Sequence, residues 1–275
     1  MSHNQKLFLF DRKHDLEVMK ILNQCFPEMK NEVFSRDFFH NTIANHLKIS
    51  QMDSIADYLD MLRHDKAECG FLYEMLHVNY SEFFRNALTF SVLETIIFPA
   101  MVRKRERKSG SEIRIWSAAC ADGREAYSMA MLLEELRKKS TTEFRYRIFA
   151  TDVSKTQINA AKKGIYATDG IGNLTLKRID QWFSKSGKCY QIKQELKSCI
   201  DFSVFNLLNK SASCPASSIF GDFDLVFCAN LLFYYERNAQ QLMIAKMIKC
   251  LKGDGFLVCG ETERDIPAKA GLYEA

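Results

Sequence analysis

The chain has 275 residues, 47% of them hydrophobic, with only four prolines and twelve glycines, which excludes a disordered or collagen-like protein and allows one large domain or two smaller ones. The net charge of +4 is too small to indicate nucleic-acid binding. No apolar run approaches the roughly 20 residues of a membrane span, and Asp11 directly follows the short LFLF block, so we expect neither a transmembrane segment nor a signal peptide.

The first 75 residues have the apolar spacing of helices and carry nine basic and twelve acidic side chains, a net charge of −3. Apolar residues recur at helical spacing in LEVMKILNQCF and IADYLDMLRHD, and Ser54 or Asp53 is placed to cap the second helix. We therefore predict a helical domain over residues 1–75. Residues 76–110 are predicted to be a helical linker with a break near 79–81, where Asn, Tyr and Ser favour an irregular turn.

From residue 111 onward, strands alternate with helices, which is the pattern of βαβ units around a mostly parallel sheet. The predicted strands are IRIWSA, YRIFAT, IDFSVF, FDLVFC and GFLVCG, and the predicted helices are 124–139, 154–163 and 237–251. We expect GFLVCG to be a central strand, with GLYEA as a short antiparallel strand beside it. Within 179–202, turn chemistry around Gly187 and the alternating run CYQI indicate a small β-insertion, with a connecting loop as the alternative.

Nine cysteines are scattered along the chain without a CxxC pair, and several lie inside apolar runs that read as strands. All six histidines fall at or before residue 77, away from most of the cysteines. These positions predict free thiols in a reducing cytoplasm, and they argue against a zinc site or a disulfide framework.

The stretch EIRIWSAACADGREAY (112–127) predicts a buried strand, a tight turn of small residues and the start of a helix. Asp152 follows the next strand along the chain. A turn of small residues lets the backbone approach a ligand at the carboxyl edge of a sheet, and an acid at the second strand is placed to hold ribose hydroxyls. Together they predict a nucleoside cofactor. The turn lacks GxGxxG, which argues against an ordinary dinucleotide site.

Other polar side chains are predicted at the same edge. Asn206 and Asn230 follow two later strands, and each alone is compatible with simple turn chemistry. In series with Asp152 they favour a binding site. Glu125, in the first turn of the following helix, either complements the helix dipole or meets the cationic end of a cofactor. Asp224, at the start of FDLVFC, is interpreted as structural.

These motifs resemble the CheR family of chemotaxis receptor methyltransferases, which use S-adenosylmethionine. The resemblance covers nearly the whole chain, including the helical N-terminal region, the β-insertion and GFLVCGETE. It rests on NYSEFFR (79–85), RIWSAACADGREAYSMAMLL (114–133), FATDVS (149–154), FNLL (205–208) and FDLVFCANLLFYY (223–235). The implied fold is α/β, a class I S-adenosylmethionine-dependent methyltransferase (Rossmann-like) sheet over 111–275 with a small β-insertion, preceded by an all-α N-terminal domain.

The resemblance implies methyl transfer from S-adenosylmethionine to glutamate side chains on the cytoplasmic helices of chemoreceptors, by an enzyme in the cytoplasm. S-adenosylhomocysteine would be the second product. A glutamate is already ionised at pH 7, so the reaction needs alignment and exclusion of water rather than a general base. Two alternatives stay open. One is a regulatory protein that binds the cofactor but catalyses weakly, and the other is a carboxyl methyltransferase with a different protein acceptor.

The resemblance also implies roles for individual residues. Arg85 would orient the acceptor carboxylate at the methyl-transfer site, and Tyr234 would present its ring or hydroxyl there, with Tyr235 as the competing choice. The cofactor-binding residues would be Asn79, Ser81 and Arg85 of the N-x-T-x-FFR motif, Ala119 in the turn, Glu125 at the methionine part, Asp152 at the ribose, Asn206 and Leu207 at the adenine, and Asn230 closing the pocket.

The chain also departs from the family pattern. ACADGREAYS stands where GCSTGEEPYS is usual, so Ala119 replaces a glycine at a position expected to need a positive φ, and Arg124 replaces a glutamate. Ala229 replaces an arginine expected near the acceptor carboxylate, a loss that would slow transfer by roughly 10- to 100-fold. The acidic N-terminal third replaces a commonly basic helix. The short loop between Phe183 and Tyr190 predicts that no receptor C-terminal pentapeptide is used as a tether.

Overall fold

The computed structural model describes residues 11–27, 29, 33–52, 54–77, 80–106, 112–209, 211–218 and 221–268. The chain divides into two compact units, residues 1–78 with 234–239, and residues 79–233 with 240–275. The sequence-based boundaries at residues 75 and 110 stay predictions. The predicted strand GLYEA lies outside the described residues.

The described part of the first unit is helical, as predicted. Its helices bury an apolar core that includes Val18, Leu22, Ile43 and Leu62. Ser54 caps the third helix, because its hydroxyl oxygen accepts a hydrogen bond from the Asp57 amide. The helices are α1 (Arg12–Cys25), α2 (Arg36–Ser50), α3 (Ile55–His64) and α4 (Lys66–Leu76).

The predicted break in the linker is a non-helical segment over residues 80–86. Helical structure resumes as α5 (Ala87–Val92), continues through a π-helical stretch (Leu93–Ile97) and ends as α6 (Phe98–Glu106). Within the break, Phe84 and Asn86 have positive φ angles of 54° and 64°. Such angles are unfavourable for residues with a Cβ, so contacts elsewhere must hold this segment in place.

The described part of the second unit contains eight strands and the helices between them. Five strands form one parallel sheet in the order β6-β2-β1-β7-β8, and three short strands form an antiparallel sheet in the order β3-β5-β4. The strands are β1 (Ile113–Ala118), β2 (Tyr146–Asp152), β3 (Ile165–Ala167), β4 (Phe183–Ser186), β5 (Cys189–Ile192), β6 (Ile200–Val204), β7 (Phe223–Cys228) and β8 (Leu251–Cys259). The remaining helices are α7 (Arg124–Lys139), α8 (Lys155–Lys163), α9 (Leu176–Trp182), α10 (Gln194–Lys197), α11 (Arg237–Cys250) and α12 (Asp265–Ala268).

The five strands predicted from the sequence all lie in the parallel sheet. The prediction that GFLVCG is a central strand is wrong, as far as the described residues show. Strand β8 is the outer strand beside β7, and it begins earlier, at Leu251. Its pairing with β7 is irregular between Phe223 and Leu225. A Cβ on Gly255 would lie 2.9 Å from the Phe223 carbonyl oxygen, so the missing side chain permits this close approach.

Side chains between the strands hold the sheet together. The Trp116 indole Nε1 donates a hydrogen bond to Thr151 Oγ1 at 2.9 Å, which joins β1 to β2. Asp224 accepts hydrogen bonds from the Arg114 amide at 2.8 Å and from Lys252 Nζ at 2.9 Å. Asp224 therefore joins β7 to both of its neighbours, as expected for a structural residue.

The antiparallel sheet contains the predicted β-insertion. Strands β4 and β5 form a hairpin that turns at Gly187, whose φ is 59°. The third strand, β3, comes from residues upstream of the predicted range 179–202. Phe183 and Ile192 face the core of the second unit, so the hairpin is anchored by its first and last residues.

Among the described residues, none of the helices combines the length and the apolar character that crossing a membrane requires. Over the same ranges, no group of three or more His, Cys, Asp or Glu residues could hold a metal ion.

Candidate active site

The turn after β1 brings its backbone close to the neighbouring strands. Ala119, Ala121 and Gly123 have positive φ angles of 63°, 46° and 89°. The Cys120 amide donates to the Thr151 carbonyl at 2.8 Å. A Cβ on Gly123 would lie 2.9 Å from Ala161 Cβ, so this turn also requires a residue without a side chain. The positive φ expected at Ala119 is thus observed.

Asp152 ends β2 and connects two loops at the carboxyl edge of the sheet. Its Oδ2 accepts a hydrogen bond from the Ala121 amide at 2.9 Å, and its Oδ1 accepts one from the Ser154 amide at 2.9 Å. The carboxylate therefore positions the turn after β1 as well as the start of α8. This is the edge at which open α/β sheets bind ligands.

Glu125 lies in the first turn of α7, where its Oε1 accepts a hydrogen bond from Ser117 Oγ at 2.7 Å. Burial raises the pKa of Glu125 well above its usual value. Asp152 and Glu263 are close enough to raise that pKa further, whereas Arg85 and the Ser117 hydrogen bond lower it. Asp152, Glu263 and Arg85 therefore all act electrostatically on Glu125 at this edge of the sheet.

Arg85 belongs to the segment 80–86 that precedes α5. One guanidinium nitrogen, Nη1, donates to the Tyr80 carbonyl at 2.8 Å, and the guanidinium carbon lies 5.0 Å from the Tyr80 ring centroid. The Ser81 carbonyl oxygen accepts a hydrogen bond from Arg124 Nη1 at 2.6 Å. Asn79 lies outside the described residues, so its predicted role stays a prediction.

The residues after β6 and β7 have the predicted positions at the strand ends. Asn206 Oδ1 accepts a hydrogen bond from the Leu208 amide at 2.7 Å, which is turn chemistry, and Leu207 is buried. Asn230 has a φ of 61°, and its amide donates to Glu263 Oε2 at 2.8 Å. Ala229, between β7 and Asn230, is buried and brings no charge to this place.

Tyr234 and Tyr235 belong to the first unit, and the predicted place of Tyr234 at the methyl-transfer site stays a prediction. Tyr235 is buried and stacks on Phe34, with 5.1 Å between ring centroids. Tyr234 is partly exposed, and its ring centroid lies 4.7 Å from that of Phe38. Its carbonyl oxygen accepts a hydrogen bond from the Ser35 amide at 2.7 Å. Of the two tyrosines, Tyr234 is the more accessible.

Glu263 is a residue of this region to which sequence reasoning assigned no role. Its side chain is fully buried, and it accepts hydrogen bonds from four backbone amides. Burial raises the pKa of Glu263, while the amide hydrogen bonds lower it. The only sequence signal was an acid directly after an apolar strand, in GFLVCGETE. The four amides belong to Asn230, Leu231, Leu232 and Gly260.

The donor set fits a positively charged nucleoside. The partly buried carboxylates of Glu125 and Asp152 suit a ligand that carries cationic groups and ribose hydroxyls. The turn at 119–123 contains mostly small residues, a composition that lets backbone approach a ligand.

Comparison with known proteins agrees with this chemistry. The model of the CheR methyltransferase, SAM binding domain, matches residues 79–271. The chain belongs to the CheR methyltransferase family. It is an S-adenosylmethionine-dependent methyltransferase of chemotaxis with a class I α/β fold and a helical N-terminal region.

Similar proteins include the chemotaxis protein methyltransferases of Borreliella burgdorferi and Escherichia coli. The first is 31% identical, over 80% of this chain and 77% of that protein, and the second is 30% identical, over 83% and 76%. A solved S-adenosylmethionine-dependent methyltransferase from Clostridium acetobutylicum is 15% identical, covers 63% of this chain and 56% of its own, and superposes with a TM-score of 0.31.

Ala119→Gly is expected to stabilise the protein by about 0.5–1 kcal/mol, because relief of the positive φ exceeds the added entropy of the unfolded chain. The measurement is urea unfolding. Ala126→Gly is the matched control, since Ala126 lies in α7, and we expect a loss of about 1 kcal/mol there. Equal destabilisation by both changes would contradict the strain at Ala119.

Glu263→Gln is expected to destabilise the protein by about 2–4 kcal/mol. The NH2 group of the glutamine would face backbone N–H groups, and it cannot accept the hydrogen bonds that a carboxylate oxygen accepts from them. Exposed Glu261 provides the control, and Glu261→Gln should change the free energy of unfolding by less than about 0.5 kcal/mol. A Glu263→Gln protein as stable as the control would show that the four amides do not depend on the carboxylate.

Proposed function

We propose that this methyltransferase transfers the methyl group of S-adenosylmethionine to glutamate side chains on the cytoplasmic helices of chemoreceptors, in the cytoplasm. The observation that carries the proposal is the position of Arg85, close enough to Glu125 at the carboxyl edge of the sheet to lower the pKa of that acid. A cationic side chain beside a cofactor site is suited to guide an anionic acceptor toward it. The family's chemotaxis role supports the same assignment.

The cofactor-binding residues are proposed as follows. Glu125 faces the methionine part of S-adenosylmethionine, Asp152 holds the ribose, and Asn206 with Leu207 flanks the adenine. Ala119 brings backbone close to the cofactor because the turn around it contains mostly small residues. The segment 79–85 lies over the cofactor through Asn79, Ser81 and Arg85, and Asn230 closes the pocket.

When bound, S-adenosylmethionine supplies an electrophilic methyl group on a positively charged sulfur. The chain's own residues have a modest chemical task, because the acceptor glutamate is already ionised near pH 7 and needs no base. Arg85 orients the acceptor carboxylate, and Tyr234 presents its ring or hydroxyl at the methyl site. The rate then depends on alignment and on exclusion of water.

The receptor is proposed to be engaged without a C-terminal pentapeptide tether. The β4–β5 hairpin supports this, because only Gly187 and Lys188 separate its strands. A turn of two residues offers little surface of its own. The net acidic N-terminal third supports a second candidate function, carboxyl methylation of a different protein acceptor.

A third candidate is a cofactor-binding regulator with weak catalysis. Buried Ala229 favours it, because the family's usual arginine at this place would assist the acceptor carboxylate. Base-labile methyl incorporation into receptor-bearing membranes separates the first candidate from the others. Base-labile incorporation into other proteins alone would favour the second candidate, and binding of S-adenosylhomocysteine without any incorporation would favour the third.

Arg85→Ala is expected to lower turnover by at least about tenfold with cofactor affinity nearly intact, as for loss of a contact made in the transition state.

Asp152→Ala should instead weaken binding of S-adenosylhomocysteine in a calorimetric titration, while circular dichroism shows a folded protein. Unchanged turnover for the first variant, or unchanged affinity for the second, would remove that residue from the proposed site.

Cofactor affinity is expected to increase with pH. The raised pKa of Glu125 keeps this acid protonated above its usual range in the free protein, and a bound cation favours the ionised form, so binding releases a proton. Affinity should rise by up to about tenfold per pH unit below the raised pKa and level off above it. Calorimetry with S-adenosylmethionine at several pH values measures this.

Glu125→Gln is the matched control for the pH dependence. The variant should bind S-adenosylmethionine more weakly, and its affinity should be flat over the range in which the unsubstituted protein changes. If both proteins show the same slope, another group is responsible for the proton release.

A further inference from the structure

We propose that Arg124 is a positioning residue for methyl transfer: its guanidinium fastens the segment 80–86, which carries Ser81 and Arg85, to the start of α7 beside the cofactor turn. This inference rests on the proposed function. Arg124 stands where the family pattern has a glutamate, so the attachment belongs to this chain's own sequence.

The guanidinium makes two charged or polar contacts in a largely buried place. Arg124 Nη1 donates to the Ser81 carbonyl at 2.6 Å and lies 3.1 Å from Asp122 Oδ2. The side chains of Arg124 and Asp122 are only 19% and 16% exposed. A charged donor to a carbonyl in such surroundings forms a stronger hydrogen bond than a neutral one. The contact joins segments 43 positions apart in the chain.

Tyr166 of β3 supports this arrangement from the other side. The Arg124 guanidinium carbon lies 4.9 Å from the Tyr166 ring centroid, and the Tyr166 hydroxyl donates to the Asp122 carbonyl at 2.7 Å. The Phe83 ring meets the Tyr166 ring edge-on, with 5.0 Å between centroids. Tyr166 therefore touches the arginine, the cofactor turn and the segment 80–86.

A second attachment lies one helical turn further along α7. Ser128 Oγ accepts a hydrogen bond from the Phe84 amide at 3.0 Å and donates to the Arg124 carbonyl at 2.7 Å. The segment 80–86 is thus held at Ser81 and at Phe84 by the same helix. Phe84 and Asn86, on either side of Arg85, both have positive φ angles, and the angle is unfavourable for Phe84 because its side chain is bulky.

Those angles make the attachments important for Arg85. A strained segment relaxes when its contacts are removed, and Arg85 would then leave the position that Phe84 and Asn86 define. The guanidinium of Arg124 is already occupied by Ser81 and Asp122, and its Nε is buried without a hydrogen-bond partner. This geometry favours a positioning role over direct binding of the acceptor carboxylate as a substitute for the arginine missing at Ala229.

Gly170 allows the attachment to be tested without removing any charge. A Cβ on Gly170 would lie 2.9 Å from Arg124 Nη2, so Gly170→Ala should displace the guanidinium while every titratable group remains. Gly172→Ala is the matched control, because a Cβ there would lie 3.8 Å from its nearest atom, the Asp169 carbonyl oxygen. Both residues lie in the same short segment after β3.

In the full chain, Arg124→Gln is expected to lower turnover on receptor-bearing membranes by about tenfold or more, and Gly170→Ala by about three- to tenfold, with Gly172→Ala unchanged. The Kd of S-adenosylhomocysteine and the KM for receptor should change by less than about threefold. Arg124→Lys should recover part of the activity, because an ammonium can still meet Ser81 and Asp122. A rise in the receptor KM at constant turnover would overturn the positioning role in favour of direct acceptor contact.

Hydrogen–deuterium exchange of the free protein provides a readout that needs no acceptor. The peptide covering residues 80–86 should exchange faster in Arg124→Gln and Gly170→Ala and at the original rate in Gly172→Ala. If the peptide 80–86 exchanged at the unsubstituted rate in both Arg124→Gln and Gly170→Ala, the inference would be overturned. This holds even if one of the two variants lost activity by misfolding. If the unsubstituted protein did not methylate receptor membranes, the proposed function would fail while the exchange result still decided the role of Arg124.

Discussion

Two carboxylates, of half-buried Asp152 and fully buried Glu263, hold the loops at the carboxyl edge of the sheet, and the candidate site depends on them. Asp152 accepts hydrogen bonds from the amides of Ala121 and Ser154. Glu263 accepts hydrogen bonds from four amides in the segments that follow β7 and β8. A buried amide without an acceptor costs about 1–3 kcal/mol, so these bonds select one loop conformation among many. The loops that carry Ala119 and Asn230 are therefore arranged before any ligand is bound.

The parts of this architecture that local chemistry determines were predictable. Apolar runs bounded by small or polar residues gave the five strands, and Ser54 gave a helix cap, because these signals act over a few residues. The partners of Glu263 and Arg124 were not predictable, since their contacts span 33 and 43 positions. The packing of Tyr235 on Phe34 was likewise not predictable, because no local pattern contains it, and the choice between Tyr234 and Tyr235 stays a prediction.

The departures from the family pattern differ in their physical weight. Ala119 keeps the positive φ of the glycine that it replaces, so the turn retains its form at a modest conformational cost. Arg124 introduces a charge, but its guanidinium is engaged by Ser81 and Asp122. Ala229 is different, because a buried methyl group stands where the family pattern has a charged side chain. If the proposed function holds, this departure affects turnover more directly than cofactor binding.

The order of the strands has a consequence for the chain during synthesis. Strand β1 lies between β2 and β7, and the bond from the Arg114 amide to Asp224 spans 110 positions. A ribosome making about 5–20 residues per second therefore leaves one edge of β1 unpaired for about 5–20 seconds. During that interval the nascent chain presents an apolar strand whose backbone N–H and C=O groups are unpaired along one edge. Such an edge favours association with other chains. Completion of the sheet must wait for the region that contains β7 and Glu263, so chains truncated before it would retain that exposed edge.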